Sequence, residues 1–142
     1  MDIPEDDMTG AATGSVRTVL RLEGLSVFVT AVFAYAEFGS GWGLFAVCFL
    51  IPDVSFLGYL AGSRVGAVVY NAAHSYVGVL MAVGAAVAYP QTVPLAVGLI
   101  WGAHIGFDHM LGYGLKYPTG FGFTHLGTIG ARATRDTTGN SE

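Results

Sequence analysis

Charged side chains are scarce in this sequence, and they are unevenly placed. They make up 11% of the 142 residues, whereas a soluble domain usually has about 25%. Many lie near the ends of the chain: Asp2, Glu5, Asp6 and Asp7 open it, and four more charged residues lie in 132–142. The long middle is almost uncharged, which excludes an ordinary water-soluble globule.

Cysteine is also nearly absent. The one cysteine, Cys48, lies in an apolar run, so an internal disulfide and a cysteine-ligated zinc site are both excluded. The net charge of -4 comes mainly from the acidic N-terminal tail, and no basic patch suggests a nucleic-acid partner. The first fifteen residues are acidic and polar, unlike a cleavable signal peptide.

Apolar residues, in contrast, are abundant at 53% and form four long runs. A helix needs roughly 20 mostly apolar residues to cross the hydrocarbon core of a bilayer. Glycine, serine and proline bound these runs, and the short connections favour antiparallel hairpins. The predicted spans are 18–36, 42–61, 65–89 and 93–113.

The basic residues predict the orientation of the spans. Arg17 and Arg21 lie at the start of the first span, Arg64 lies in the second connection, and Lys116 and two arginines follow the fourth span. Because Lys and Arg collect on the cytoplasmic side, both termini are predicted to be cytoplasmic. The sequence therefore predicts an all-α, membrane-embedded four-helix antiparallel bundle in the cell membrane, with the lipid bilayer as its partner.

The predicted bundle has a segment on either side. The chain divides into an acidic disordered tail (1–16), a four-helix transmembrane domain (17–117), a C-terminal interfacial segment (118–131) and a second disordered tail (132–142). The aromatic, glycine-rich run after the fourth span has two interpretations. It folds back as a lid that brings Lys116 and His125 to the mouth of a site, or it is an amphipathic segment whose lysine reaches the headgroups.

Six of the polar side chains within the predicted spans form one group, in a region where a charge costs about 2.5–3.5 kcal/mol or more. A helical rise of about 1.5 Å per residue places all of them at one depth, in the cytoplasmic half of the bundle. All four helices contribute to this layer. Its members are Glu23, Asp53, Asn71, His74, His104 and Asp108.

The spacing of these residues also places them on common helix faces. His104 and Asp108 are four residues apart, and Tyr70 has the same spacing to His74, so each pair shares a stripe. Pro52 precedes Asp53 in mid-span and leaves a carbonyl unpaired, which bends the helix. Bent or broken helices in membranes often border a site. His109 falls away from the polar stripe.

The fourth span carries a second feature, a ridge of small residues formed by Gly98, Gly102 and Gly106. Such a ridge lets another helix approach closely. We expect a homodimer through this ridge. The alternative is that it packs against a helix of the same chain.

The polar layer predicts a metal-dependent membrane enzyme that acts on an amphiphilic substrate, with zinc or iron as the metal. Two imidazoles and a carboxylate supply three ligands and leave a position for water. The predicted metal ligands are His74, His104 and Asp108; the predicted catalytic residues are Asp53, Asn71 and Glu23; and Tyr70, Lys116 and His125 are placed at the mouth of the site.

Three other interpretations are open at this point. The carboxylates and histidines suit a proton- or cation-coupled small transporter. His74 and His104 suit the two axial ligands of a haem, or a quinone site. The same residues also suit a structural role, as interhelical hydrogen-bond pairs worth about 0.6–2 kcal/mol each.

Several short motifs occur in order between Arg17 and Gly127. They are LRLEGL (20–25), PDVSFLGY (52–59), YNAAH (70–74), HIGFD (104–108), LGYGLKYP (111–118) and THLG (124–127). Together they resemble a family known as domain of unknown function 4260, small prokaryotic membrane proteins. The resemblance implies the membrane bundle and its boundaries and no activity. One departure is His109, where the family pattern suggests an arginine.

Overall fold

A computed structural model describes residues 11–89, 92–119 and 122–128, and the described chain is almost entirely helical, as predicted. Most of the acidic tail and residues 129–142 lie outside the described residues. The helices are α1 (Gly14–Phe38), α2 (Trp42–Phe49), a 3-10 helix (Ile51–Ala61), α3 (Ser63–Ala73), α4 (Tyr76–Ala88) and α5 (Thr92–Leu111). Two short strands follow, β1 (Phe123–Thr124) and β2 (Gly127–Thr128), paired antiparallel.

Three helical stretches of the described chain are long and apolar enough to cross a membrane: Gly14–Phe38, Trp42–Ala61 and Ser63–Ala88. Large apolar side chains on them face outward, including Phe33 (73% exposed) and Leu60 (87% exposed). A soluble protein rarely exposes so much contiguous apolar surface. The predicted fourth span corresponds to α5, which carries Asp108 and two histidines and is not among these three.

The helix α5 lies at the centre of the bundle, in contact with α1, α2 and α4. Its crossing with α1 is close because both helices have glycine there. A Cβ atom on Gly106 would lie 2.8 Å from the carbonyl oxygen of Gly24, and one on Gly24 would lie 2.7 Å from the backbone nitrogen of Met110. Neither position accepts a larger residue without moving the two backbones apart.

The glycine ridge of α5 is covered within the chain. A Cβ atom on Gly98 would lie 2.9 Å from Val83, and one on Gly102 would lie 3.3 Å from Val79, both on α4. Gly106 faces α1 in the same way. The ridge therefore packs against helices of its own chain. The homodimer stays a prediction, and it would need a surface other than these glycines.

The second and third helical stretches are both interrupted. The α-helix α2 ends at Phe49 and continues as a 3-10 helix that has Pro52 in its first turn. The third stretch breaks at His74, which ends α3, and Ser75 caps the start of α4 by accepting a hydrogen bond from the Val77 N–H at 3.2 Å. An eleven-residue 3-10 helix is unusually long.

Beyond α5 the chain folds back against α3. We call residues 112–119 the C-terminal strap. The side chain of Asn71 holds it, since its Nδ2 donates to the Lys116 carbonyl at 2.8 Å and its Oδ1 accepts from the Lys116 N–H at 2.7 Å. The strap also pairs with the β-hairpin through Lys116 and Thr124. Of the predicted interfacial segment 118–131, residues 118 and 119 lie in the strap and 123–128 form the hairpin, whereas residues 120, 121 and 129–131 lie outside the described residues.

Candidate metal centre

Four of the predicted polar residues meet at one point between the two broken helices and α5. Asp53 lies in the first turn of the 3-10 helix, His74 lies at the end of α3, and His104 and Asp108 lie one turn apart on α5. Each offers one nitrogen or oxygen atom, and these four atoms all lie within 4.8 Å of one another. We call these residues the His/Asp quartet.

The distances within the quartet are nearly uniform. The two histidine Nε2 atoms are 3.1 Å apart. The Asp53 Oδ1 atom lies 3.6 Å from the Nε2 of His74 and 3.5 Å from that of His104. The Asp108 Oδ2 atom lies 3.4 Å and 3.6 Å from the same two nitrogens. Five of the six edges of this tetrahedron therefore lie between 3.1 and 3.6 Å.

These distances suit a metal cage better than ion pairs. Ligands held tetrahedrally about 2.0–2.1 Å from a zinc ion lie about 3.3–3.4 Å from one another. A charge-assisted hydrogen bond between an imidazolium and a carboxylate is shorter, about 2.7–2.9 Å. Each carboxylate oxygen of the quartet is instead almost equally far from both imidazoles, at 3.4 to 3.6 Å.

A backbone group on the side away from the quartet orients each histidine ring. The Nδ1 atom of His74 lies 3.0 Å from the carbonyl oxygen of Tyr70. Because a carbonyl only accepts, Nδ1 carries the proton and the Nε2 lone pair faces the quartet. Imidazoles that bind metals are usually held in this way by a backbone carbonyl or carboxylate.

The backbone interaction that orients the His104 ring is weaker. Its Nδ1 atom is buried and has no partner with good hydrogen-bond geometry among the described residues, although the imidazole interacts with the backbone of Phe49. The Phe49 carbonyl is not used by a hydrogen bond within the helix. Pro52, three residues later, has no N–H, and the Asp53 N–H donates to the Leu50 carbonyl instead, at 3.2 Å. The proline in mid-span therefore supplies an acceptor behind the second imidazole.

Tyr70 connects three parts of the site. Its ring stacks on the His74 ring with centroids 3.8 Å apart, and its hydroxyl makes a hydrogen bond with the Asp108 carboxylate. The side chain is 1% exposed. Tyr70 is predicted at the mouth of the site, whereas the structure buries it behind two of the four quartet residues.

The quartet is open on one side. The side chains of His74 and His104 are each 2% exposed and that of Asp108 is 15% exposed, whereas that of Asp53 is 39% exposed. A ligand or water can therefore approach where Asp53 lies. Asp53 is also the quartet member with the most freedom to move away from a bound ion.

Lys116 of the C-terminal strap is buried beside the quartet, with 3% of its surface exposed. Its ammonium group lies 4.8 Å from the centre of the Tyr70 ring and interacts with the Asp108 carboxylate. Burial lowers the pKa of Lys116, and the Asp108 charge partly offsets this effect. With both carboxylates ionised, the two carboxylates and one ammonium leave a net negative charge, which a bound cation would offset.

Three other predicted site residues lie away from the quartet. The amide of Asn71 holds the strap backbone and reaches the site only through Lys116. Glu23 is exposed on α1, a helix that supplies no member of the quartet. The His125 imidazole accepts a hydrogen bond from the Leu115 N–H at 2.8 Å and lies against the ring of His109. The predicted layer therefore draws on three helical stretches at the quartet, and α1 is not one of them.

The Phe49 carbonyl behind His104 also belongs to the site, and it is not among the groups predicted from the sequence. Its signal was present in the sequence, because a proline at one position removes the donor for the carbonyl three residues earlier in a 3-10 helix. His109, adjacent to Asp108, faces the rings of Tyr76 and His125 and contributes nothing to the quartet.

The described fold is that of a helical protein with membrane-compatible helices, in which two interrupted helices and a central continuous one bring two imidazoles and two carboxylates to one point. The chain belongs to the DUF4260 family, a domain of unknown function whose family model matches residues 17–129. No curated protein and no solved structure matches the chain significantly. The family description assigns no activity, so the site itself must supply the argument for function.

Proposed function

We propose that this protein is a multi-pass membrane enzyme that binds one divalent transition-metal ion at the His/Asp quartet and acts on an amphiphilic substrate. One observation carries the proposal: among four metal-ligating atoms from three helical stretches, five of the six separations lie between 3.1 and 3.6 Å, and all lie within 4.8 Å. Their convergence at a buried point is costly unless a cation binds among them.

The ligand types favour zinc or iron. Imidazole nitrogen and carboxylate oxygen bind both Zn²⁺ and Fe²⁺, and two histidines with one carboxylate leave open positions on either ion. Magnesium and calcium prefer oxygen ligands throughout. In the proposed site His74, His104 and Asp108, which are the three less exposed members of the quartet, hold the ion.

The exposed member, Asp53, takes a different role. Its carboxylate would serve either as a fourth ligand or as the general base that accepts a proton from water on the ion. A metal ion lowers the pKa of bound water to about 7, so a neighbouring carboxylate can accept its proton. Hydrolysis of an ester or phosphoester is the reaction class that this arrangement supports.

The geometry does not favour haem ligation by the two histidines. Axial ligands on opposite sides of one iron, each about 2.0 Å from it, would have nitrogens about 4 Å apart with the porphyrin plane between them. The two Nε2 atoms are 3.1 Å apart and close to two carboxylates, which suits adjacent positions on one ion.

The membrane part of the proposal includes α5 as a fourth span. Three apolar stretches are compatible with insertion, and α5 is surrounded by α1, α2 and α4. A helix with protein on several sides tolerates polar residues that a lipid-facing helix does not. With four spans and the basic residues on one side, the quartet lies in the cytoplasmic half of the bilayer.

Metal analysis of the purified protein tests the proposal. The wild-type protein in detergent should hold one zinc or iron ion per chain by elemental analysis, and His104→Ala and Asp108→Ala should hold almost none. His109→Ala is the matched control and should keep the metal. His109 is also a histidine of α5 and is adjacent to Asp108 in the chain, but it is not a member of the quartet. Equal metal in wild type and both quartet variants, or none after reconstitution with zinc and with iron, would refute the proposal.

A further inference from the structure

An apolar groove of about 460 Å³ runs beside the His/Asp quartet, between the second helical stretch, the end of α3 and the helix α5. Its volume is in the range of small-molecule sites, about 300–1,000 Å³. Side chains such as Cys48, Ile51, Val97 and Ile100 line it, and almost all of the lining is apolar.

The groove begins at the open side of the quartet. Pro52 and Val54, which flank Asp53 in the chain, both line it, and so does Ala73, the residue before His74. Asp53 is the most exposed member of the quartet. A molecule whose reacting group binds where Asp53 lies would therefore have its adjoining part in the groove.

The groove extends from the quartet in one direction along the bundle. On α5 its lining residues Val97, Ile100 and Trp101 all precede His104, and on α2 Cys48 precedes Asp53. At about 1.5 Å per residue, Val97 lies about 10 Å from His104 along the helix axis. Lys116 lies on the opposite side, beyond the end of α5. An apolar groove and a buried cation thus lie on opposite sides of the quartet.

Two features of the groove wall bear on what the groove holds. The indole of Trp101 donates a hydrogen bond to the Ala73 carbonyl at 2.6 Å, and its ring lies against Gly78. The hydroxyl of Ser55, in the groove wall, is buried and has no hydrogen-bond partner among the described residues. A buried hydroxyl is usually paired, so an oxygen atom of a bound molecule suits this position.

We infer that the groove holds one alkyl chain of an anionic membrane lipid whose phosphate binds at the quartet beside Lys116. The inference rests on the proposed function and names its substrate class. The polarity of the site matches that of the lipid along its length. The metal ion and Lys116 attract the phosphate, and the Ser55 hydroxyl donates to an oxygen near the headgroup. The apolar walls of the groove cover the alkyl chain. In the proposed orientation the groove runs from the cytoplasmic half towards the bilayer centre, as the chain of an inner-leaflet lipid does.

Photolabelling tests the inference. The metal-loaded protein is reconstituted in phosphatidylcholine nanodiscs with a small fraction of phosphatidic acid that carries a diazirine midway along one acyl chain. We expect labels on groove residues such as Cys48 and Val97, and these labels should fall at least fivefold when unlabelled phosphatidic acid is added. Labels on outward-facing residues such as Val47, which is 70% exposed, should not saturate.

A matched pair of variants separates the groove from the lipid-facing surface. Val97→Trp fills the far end of the groove and should reduce the saturable labelling several-fold, whereas Val93→Trp, one turn earlier on the same helix and 67% exposed, should not. Cys48→Trp fills the groove from the opposite wall and serves if Val97→Trp does not fold.

Metal content is measured in every sample, so the two proposals can fail separately. If metal is bound but excess phosphatidic acid does not reduce the labelling, the groove inference is overturned and the metal site stands. The same holds if Val97→Trp and Cys48→Trp both leave the labelling unchanged. Absence of metal after reconstitution would refute the proposed function, whatever the labelling shows.

Discussion

At the scale of single residues, Tyr70 has the largest supporting role in the site. Its backbone carbonyl accepts a hydrogen bond from the His74 ring, its own ring stacks on that imidazole, and its hydroxyl makes a hydrogen bond with the Asp108 carboxylate. One buried side chain thus positions two of the proposed metal ligands. Mutating groups of this kind typically costs about 10- to 100-fold in metal affinity.

Replacing Tyr70 with phenylalanine tests this role. Tyr70→Phe keeps the carbonyl and the stacked ring and removes only the hydrogen bond to Asp108, so metal affinity should fall about 10- to 100-fold with the helix content unchanged. Competition with a zinc chelator measures the affinity, and circular dichroism measures the fold. Tyr113→Phe, at an exposed tyrosine beyond α5, is the control and should change neither. Wild-type affinity in Tyr70→Phe would contradict the assigned role.

Residue identities in the quartet were predictable, and the surroundings were less so. A carboxylate or imidazole within an apolar span indicates a site, and helical spacing placed His104 and Asp108 together. Asn71 and Glu23 satisfied the same criterion and yet lie elsewhere. The difference depends on where the C-terminal strap packs and on how α1 is rotated, and neither follows from periodicity within one helix.

At the scale of elements, the site is made by interruptions. An uninterrupted helix would satisfy its own carbonyls, whereas the break after Phe49 frees one to face His104 and the break at His74 turns that side chain towards α5. Discontinuous helices in membranes are tolerated where they line a site or cavity. The proline predicted the first break; only the structure shows the second, since no proline or glycine marks it.

Restoring the missing N–H should weaken the site. In Pro52→Ala the new N–H can donate to the Phe49 or Cys48 carbonyl, which removes the acceptor behind His104 and favours a continuous α-helix. We expect a loss of about 10-fold in metal affinity from the misoriented ring. Chelator competition measures it, with Pro94→Ala in the first turn of α5 as the control, because proline there interrupts no hydrogen bond. Unchanged affinity in Pro52→Ala would contradict the role of this break.

The C-terminal strap should respond to acid through His125. Burial lowers the pKa of this imidazole, and its Nδ1 accepts the Leu115 N–H only when that nitrogen is unprotonated. Its contribution is therefore complete above the ordinary histidine pKa of about 6.5 and is lost as the pH falls below that value. Hydrogen exchange, corrected for intrinsic rates, should show protection of the Leu115 amide that falls as the pH is lowered below about 6.5. In His125→Ala protection should be low above and below this pH; pH-independent protection in the wild type would contradict this account.

At the scale of the whole molecule, the number of helical stretches and the turns between them were predictable from hydropathy. The outward-facing apolar side chains of the structure agree with that pattern. The partner of the glycine ridge was not predictable in this way, because a stripe of small residues indicates close packing but not which helix packs against it. Here α4 and α1 are the partners.

The predicted orientation can be tested by labelling from outside. In a Cys48→Ser background, a membrane-impermeant maleimide should label Ser40→Cys, in the first connection, on intact cells. It should label Ser63→Cys, beside Arg64, only after the membrane is permeabilised. The basic residues predict this asymmetry. Labelling of Ser63→Cys and not Ser40→Cys on intact cells would reverse the orientation and move the quartet to the outer half of the bilayer.

X-ray absorption of the metal-loaded protein tests the central claim most directly, because it reads the ligands of the ion itself. The account predicts one zinc or iron ion per chain, with nitrogen and oxygen neighbours at about 2.0–2.2 Å and the outer-shell scattering of two imidazole rings. In His74→Ala the signal should drop to one imidazole or the metal should be lost. A bound ion without imidazole neighbours, or no ion at all, would contradict the account.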